Sequence, residues 1–585
     1  MAGYGPYILL DDQLTHSQRY YTQPIDIVTA KEPEDIHAAF AKLMNYHEKG
    51  CYIAGYTSYE LGLIFEQKLT PLLPKDRDIP LLNFGIFDKV SSAPPTEFLY
   101  ASHPPNLTLS PAWTESEYRK RFDKVITYIK AGDVYQINLT FPMKAEYDGQ
   151  AHELYAAFRN RQKGRYGGIA VLGNSPDIIS LSPELFFRKE GGDMIMRPMK
   201  GTRPRSADSE RDDSLRQEMR GDAKSQAENL MIVDLLRNDL SRISKPGSVK
   251  VPELFTLETY PTLHQMTSRV RSKLRPDIDI ETIFRNLYPC GSVTGAPKIR
   301  AMEIIDELET AQRGAYCGAL GYIDPNGDAC FNVGIRTITL SDQNLTYNVG
   351  SGLVLDSDGA DEYRECLLKA DVLAPQAMTI IETFRWDTQD GFIREQDHKN
   401  RMKKAAKALG YRFNDALYAS ALKAVESQKT AQHVRLTLDP DGVFDLTTQN
   451  YAELRHPKIA VSGHRLSKQV QDSTHKISRR SFYDGERERL NMLYGADEVI
   501  FLNEDNKICE GSFTSIFIEK DGKLLTPKLS EGILPGILRA SLLKTGQAEE
   551  ADIFEIDILT ADVIYIGNSL RGLMTASLVK TPKAP

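Results

Sequence analysis

Residues 360–386 read ADEYRECLLKADVLAPQAMTIIETFRW, and a change of rhythm inside that stretch divides the chain. ADEYRECLLKADVL carries apolar residues at helical spacing. APQAM breaks the pattern. TIIETFRW then reads as a strand, rich in β-branched and aromatic residues. The change predicts a linker at 373–378, with one domain over 1–372 and a second over 379–585. A length of 585 residues supports more than one domain.

Upstream, strand-like runs such as GGIAVLG at 167–173 and AYCGALGYID at 315–324 flank helical patterns such as SQAENLMIVDLLRND at 225–239. The reading is a mixed α/β chain with one large first domain. Glycine and proline clusters mark its loops: RPMKGTRPR at 197–205, CGSVTGAPK at 290–298 and NVGSGLVLDSDG at 348–359. Downstream, a charged helix DHKNRMKKAAKALG is followed by short strands with Asp-Gly turns at 441–442 and 521–522.

Composition excludes several classes. Lys+Arg 72 against Asp+Glu 80 leaves a formal charge of −8, with no basic footprint for nucleic acid or a membrane surface. No run approaches the length of a membrane span. MAGYGPYILLDDQ at 1–13 does not read as a secretory signal. The six cysteines form no CxxC pair, which argues against a zinc ribbon or a disulfide scaffold. A cytoplasmic enzyme is expected.

Two groups of residues carry candidate chemistry in the first domain. Glu228 sits among apolar residues of a predicted helix, and Glu362 and Glu365 share a face of another. Oxygen-only ligands suit Mg²⁺, although spacing alone is explained as plainly by solvated helix faces. Lys200 ends MIMRPMK before a Gly-Thr turn, where partial desolvation would make a lysine a nucleophile, with an ordinary exposed lysine as the commoner alternative. Glu184, in SPELFF, lies between apolar neighbours that would raise its pKa toward that of a general acid, with an edge-strand carboxylate in water as the plain alternative. In the second domain, Lys476 in HKISRRSFY precedes Glu510 in CEGSFTSIF. A lysine and a distant carboxylate are what pyridoxal phosphate chemistry requires, and a basic surface patch is the plain alternative.

SPELFF, RPMKGTRPR, AENLMIVDLLRNDLSR, LHQM at 263–266, CGSVTGAPKIRAMEIIDELE, GALGYID, FNVGIRT and GSGLVLDSD…EYRECLLKA resemble, in this order, the chorismate-utilising enzymes. That family includes anthranilate synthase component I and aminodeoxychorismate synthase component I. PMKGT has lysine where anthranilate synthases carry alanine, so the chain resembles the aminodeoxychorismate branch. The resemblance implies an anthranilate synthase component I-like α+β domain that binds chorismate. Lys200 would attack C2 of chorismate and expel the C4 hydroxyl with help from Glu184; ammonia would then add at C4. Glu228, Glu362 and Glu365 would hold Mg²⁺. His264, Thr294, Tyr322, Arg336, Gly350, Ser351, Gly352 and Lys369 would face the substrate, with His264 orienting. ILLDDQ at 8–13 departs from the Leu-Leu-Glu-Ser-like segment of relatives that hold a regulatory amino acid. No glutaminase motif is visible, so ammonia is expected from a separate glutamine amidotransferase subunit or from solution.

IETFRW, DHKNRMKKAAKALG, VRLTL, HKISRR, GADEVIFLNEDNKICEGSFTSIFIEKDGKLLTP, GILPGILR and IGNSLRG resemble the fold-type IV pyridoxal phosphate enzymes. That group holds the branched-chain and D-amino acid aminotransferases and aminodeoxychorismate lyase. The resemblance implies that Lys476 bonds the cofactor aldehyde and Glu510 faces its pyridine nitrogen. Arg401, Gly536, Ile537, Leu538 and Ser569 would hold its phosphate, in a domain that also forms a homodimer. The first ~25–30 residues of the fold's small domain are expected to be absent, and Leu538 stands where aminotransferases often carry threonine. The fusion favours conversion of chorismate to 4-aminobenzoate in two steps. A C-terminal aminotransferase or a non-catalytic structural module are the other readings.

Overall fold

A computed structural model describes residues 4–101, 105, 107–161, 163–206, 209–259, 263–374, 378–466 and 475–579. It forms two compact units, residues 1–375 and 376–585. Residues 375–377 of the expected linker lie outside the described residues.

The first unit is built on two sheets whose strand pairings are all antiparallel. One runs through Tyr7–Asp12, Tyr166–Val171, Asp177–Ser182, Thr337–Ser341, Asn344–Leu353 and Gln136–Glu146; the other includes Tyr52–Thr57, Leu82–Phe87, Ala319–Ile323, Leu185–Glu190 and Leu263–Lys273. Ile8, Ala170 and Ile178 from the first meet Ala54, Phe87 and Leu320 from the second in one buried cluster. The sheets therefore pack face to face.

Local chemistry explains the helices that matter for the site. Asp222 caps Ala223–Ser241 by accepting from the Lys224 and Ser225 amides, and Asp358 caps Gly359–Ala370 in the same way. The predicted strand at 315–324 is a strand only over Ala319–Ile323, because Cys317 adopts φ 62° in a turn. The longest ladder in the unit pairs Asn344–Leu353 with Gln136–Glu146 and sets Gly350 opposite Thr140 and Gly352 opposite Asn138.

The second unit opens with Ile380–Asp387, the strand read from TIIETFRW, in a four-stranded sheet with Gly391–Phe392, Gln432–Leu438 and Phe444–Asn450. Even-numbered Ile380, Phe384 and Trp386 face its core with Val434, Leu436 and Leu438, against Met402, Ala405 and Ala406 of the helix Glu395–Leu409. An eight-stranded sheet follows, mixing parallel and antiparallel pairs. Asp521 and Gly522, at φ 52° and 72°, make the two-residue hairpin expected of Asp-Gly.

Candidate active sites

In the first unit, Lys200 leaves the strand Met199–Pro204 at a register shift, just before Gly201 at φ 74°. Gly352 faces the space its side chain needs. A Cβ on Gly352 would stand 3.2 Å from Lys200 Nζ and 2.6 Å from Gln136 Nε2. The charge of Lys200 acts on Glu184, Glu228 and Glu365, so these four predicted residues share one site.

Glu184 is 4% exposed, and its Oε1 has no hydrogen-bond partner. Burial pushes its carboxyl up to about 7, against the Ser292 hydroxyl and the Lys200 charge, which lower it. A carboxyl poised there gives up its proton readily near neutral pH, as a general acid must. Glu228 is also raised, first by burial and then by the like charges of Glu362 and Glu365, while Lys200 and Lys224 oppose the rise. Glu362 accepts from Ser357 Oγ at 2.7 Å. Glu365 is held below its ordinary range despite burial, because Lys369 Nζ stands 2.7 Å away. Among the described residues no three His, Cys, Asp or Glu side chains converge closely enough to grip an ion as they stand. Ser357 and Lys369 draw Glu362 and Glu365 aside. The all-oxygen donor set still fits the chemistry of Mg²⁺.

The remaining predicted residues divide. Lys369 Nζ also donates to the Gly350 carbonyl at 2.8 Å, and Ser351 Oγ lies 3.1 Å from the Tyr118 hydroxyl. Arg336, at φ 52°, hydrogen-bonds Tyr347, whose hydroxyl donates to the Lys369 carbonyl at 3.2 Å. These meet along the strand Asn344–Leu353. Thr294 is fully buried, with its hydroxyl turned back on the Cys290 and Gly291 carbonyls. His264 is buried between Asp212 Oδ1 and Thr259 Oγ1, each 3.0 Å from a ring nitrogen, which suits an orienting role rather than direct contact. Tyr322 lies apart: it stacks under the Arg19 guanidinium at 3.9 Å, and the charged neighbours acting on it are Arg19, Asp324 and Arg188, with Cys330. The tyrosine beside this region is Tyr316, buried near Cys366. Two residues of this unit escaped the sequence reading. Ser292 bonds Glu184, and Gln136 brings a buried carboxamide whose Oε1 has no partner. The alternation of Gln136, Asn138 and Thr140 with Ile137, Leu139 and Phe141 marked a polar face on that strand.

In the second unit, Lys476 is fixed beside the opening strand: its carbonyl accepts from the Ile381 amide at 2.7 Å, and Ile477 bridges Ile380. Burial and then the Arg401 charge press its ammonium down to about 7, with Arg480 and Arg435 adding to the effect and Glu382 opposing it. Glu510 accepts from the Tyr483 hydroxyl and the Leu534 amide, both at 3.0 Å, and burial raises its carboxyl. Gly536 caps the helix Ile537–Lys544. A Cβ on it would stand 2.6 Å from Ser515 Oγ. Arg401 reaches this corner by donating to the Pro535 carbonyl at 3.1 Å. Ser569 is tied to Arg401 through His398, which it hydrogen-bonds, and Glu382. The side chain of Leu538 turns away, its Cδ2 packing where a Cβ of Gly567 would stand, 2.6 Å away, which leaves its backbone as the part that can meet a phosphate. A bare-backbone cradle, a lysine of lowered pKa and an oriented carboxylate fit pyridoxal phosphate.

Residues 5–375 match the family model of chorismate binding enzymes, which covers more than half of the chain. The chain belongs to this family. Residues 379–579 match the class IV amino-transferase model, so a chorismate-binding unit is followed by a class IV aminotransferase-like one. Aminodeoxychorismate synthase component 1 of Klebsiella aerogenes is 40% identical over 273 residues, 46% of this chain and 60% of that protein. The Escherichia coli K12 protein of the same name is 34% identical over 345 residues, 55% of this chain and 76% of its own length. The chain thus spans 59–60% of two of the curated relatives it matches. Anthranilate synthase component I from Streptococcus pneumoniae TIGR4 shares the fold of this chorismate-binding chain, with a TM-score of 0.53 and 24% identity over 64% of this chain and 93% of that one. No helix among the described residues is long and apolar enough to cross a membrane.

Proposed function

We propose that the chain makes 4-aminobenzoate from chorismate and ammonia, aminating in the first unit and eliminating pyruvate in the second. The carrying observation is Lys200 Nζ over Gly352 in the electrostatic reach of Glu184. The lysine nitrogen bonds C2 of chorismate as the ring double bond shifts and the C4–oxygen bond breaks. Glu184 gives its proton to the departing hydroxyl. Ammonia then bonds C4, the double bond returns, and Lys200 leaves C2. Gly350 and Gly352 let substrate carboxylates approach the backbone, and Arg336 offers a fork of donors nearby. Glu228, Glu362 and Glu365 would hold Mg²⁺, which supplies positive charge toward a substrate carboxylate. A separate glutamine amidotransferase subunit supplies the ammonia.

In the second unit, pyridoxal phosphate supplies an aldehyde for the substrate amine and a ring that accepts electrons. Arg401, Ser569 and the Gly536–Leu538 backbone would hold its phosphate, and Glu510 would face its ring nitrogen. Lys476 Nζ, neutral over much of the physiological range by its lowered pKa, takes the proton from the amine-bearing carbon. Pyruvate departs and the ring becomes aromatic. This unit is also the surface for a homodimer, and the cytoplasm the expected compartment. Supplying purified chain with chorismate, Mg²⁺ and ammonium, and separating the products, tests the scheme. 4-Aminobenzoate and pyruvate in equal amounts support it; accumulation of aminodeoxychorismate with no pyruvate refutes the second step.

A further inference from the structure

Three side chains beside the second lysine form a buried line. Glu382 and His398 are each 1% exposed and Ser569 is 7% exposed. His398 Nδ1 lies 2.6 Å from Glu382 Oε2, and His398 Nε2 lies 2.8 Å from Ser569 Oγ. Glu382 also accepts from Arg401 Nε at 2.8 Å and Nη2 at 2.6 Å, so its charge is already matched.

The hydrogens follow from the acceptors. Glu382 is held down to about 2 by Arg401 and His398 despite its burial, so it can only accept. Burial, the largest influence, favours neutral His398. A neutral imidazole has one N–H, and the carboxylate claims it at Nδ1. Nε2 must then accept, and the Ser569 hydroxyl turns its hydrogen toward His398. That leaves Ser569 itself with only lone pairs to offer a phosphate dianion, which needs donors. A second hydrogen on Nε2 reverses the arrangement: Ser569 accepts from His398 and donates to the phosphate.

We propose that docking of the cofactor phosphate draws one proton from solvent onto His398 Nε2 and so turns the Ser569 hydroxyl toward the phosphate. His398 is then a positioning residue for the cofactor; the inference rests on the pyridoxal phosphate reading of this unit. The charge balance favours the step. Glu382 and Arg401 cancel, so the charge that an incoming dianion gains beside Ser569 is that of the imidazolium. The charged groups facing His398 are Glu382 from the strand Ile380–Asp387, Arg401 from its own helix and Lys476 from the segment bridging that strand. Arg394, which caps the helix, donates to the Ser569 carbonyl at 3.4 Å, and the Phe384 ring covers another flank at 4.9 Å.

The test is calorimetry at pH 8 with pyridoxine 5′-phosphate, which has the phosphate but no aldehyde, in two buffers of different ionisation enthalpy. Wild type should take up about one proton more per site than His398→Gln or Ser569→Ala. Each variant should bind roughly tenfold or more weakly, the loss of a charge-assisted hydrogen bond. Lys476→Met should keep the wild-type difference, and pyridoxine without phosphate should show none. Equal uptake in wild type and His398→Gln, or uptake lost in Lys476→Met, overturns the relay. A wild type that binds neither pyridoxine 5′-phosphate nor pyridoxal phosphate overturns the cofactor reading itself, a result distinct from binding without uptake.

Discussion

Glu184→Gln should stabilise the protein above neutral pH and leave it unchanged in acid. The carboxyl is 4% exposed, carries an unpartnered Oε1, and has its pKa raised from 4.5 to about 7. The folded state therefore holds this proton more tightly than the unfolded chain does. The stability contributed by the protonated form is complete below pH 4.5 and is lost as pH rises through 7. At 1.36 kcal/mol for each step of one in pKa, the loss is about 3 kcal/mol. Glutamine cannot ionise, so the variant escapes it. In a unit of 375 residues, 3 kcal/mol moves the midpoint by roughly 4 °C. Scanning calorimetry of wild type and variant at pH 4.5 and pH 8 reads this as a difference of differences, in which any change of packing cancels. The variant should gain at pH 8 only, while amination of chorismate collapses. The same Tm offset at both pH values would refute the buried-acid reasoning.

Gly352→Ala should spare folding, since no positive φ is involved, but slow amination roughly 100-fold by displacing Lys200 and Gln136, whose nitrogens would lie 3.2 and 2.6 Å from the new methyl; an unchanged rate would mean that Lys200 does not work from this position. Lys200→Ala should lose the chorismate adduct that intact mass detects in wild type without ammonia, yet still convert added aminodeoxychorismate to 4-aminobenzoate; full synthase activity in the variant would exclude the nucleophile assignment. Chelation should stop amination and leave the second step, fed with aminodeoxychorismate, intact; equal loss of both would place the metal elsewhere. Lys476→Ala should lose the yellow colour of the cofactor-loaded protein and accumulate aminodeoxychorismate while chorismate is consumed at the wild-type rate, and undiminished 4-aminobenzoate would favour a structural role for the second unit.

What was legible followed from how local each signal is. TIIETFRW announced its strand because alternate residues face a core, and DHKNRMKKAAKALG announced its helix by spacing and by Gly410, which ends it at φ 74°. Lys200, Glu184 and Glu228 were found through long motifs, and the fold brings them into one field of charge. Tyr322 shows the limit. In AYCGALGYID two tyrosines stand six residues apart, and only the turn at Cys317 separates the one near Cys366 from the one that stacks under Arg19. Arg19 is 303 positions away in sequence, and no pattern within the motif could show that contact. Ser292, Gln136 and His398 were missed for a related reason. Their significance lies in a partner or in an unpartnered oxygen, which a sequence does not display.

In each unit a carboxylate beside a candidate reactive group is paired off by a cation. In the first, Lys369 takes Glu365, and Glu228 stays raised by burial and by Glu362 and Glu365 although Lys200 and Lys224 oppose the rise. In the second, Arg401 and His398 take Glu382, a carboxylate that raises the Lys476 pKa, while Arg480 and Arg435 stay close enough to lower it. Removing the neutralising partner should therefore matter as much as removing the reactive group. Without Arg401, Glu382 would be free to hold Lys476 as an ammonium, and a lysine held in that form can neither bond an aldehyde nor accept a proton.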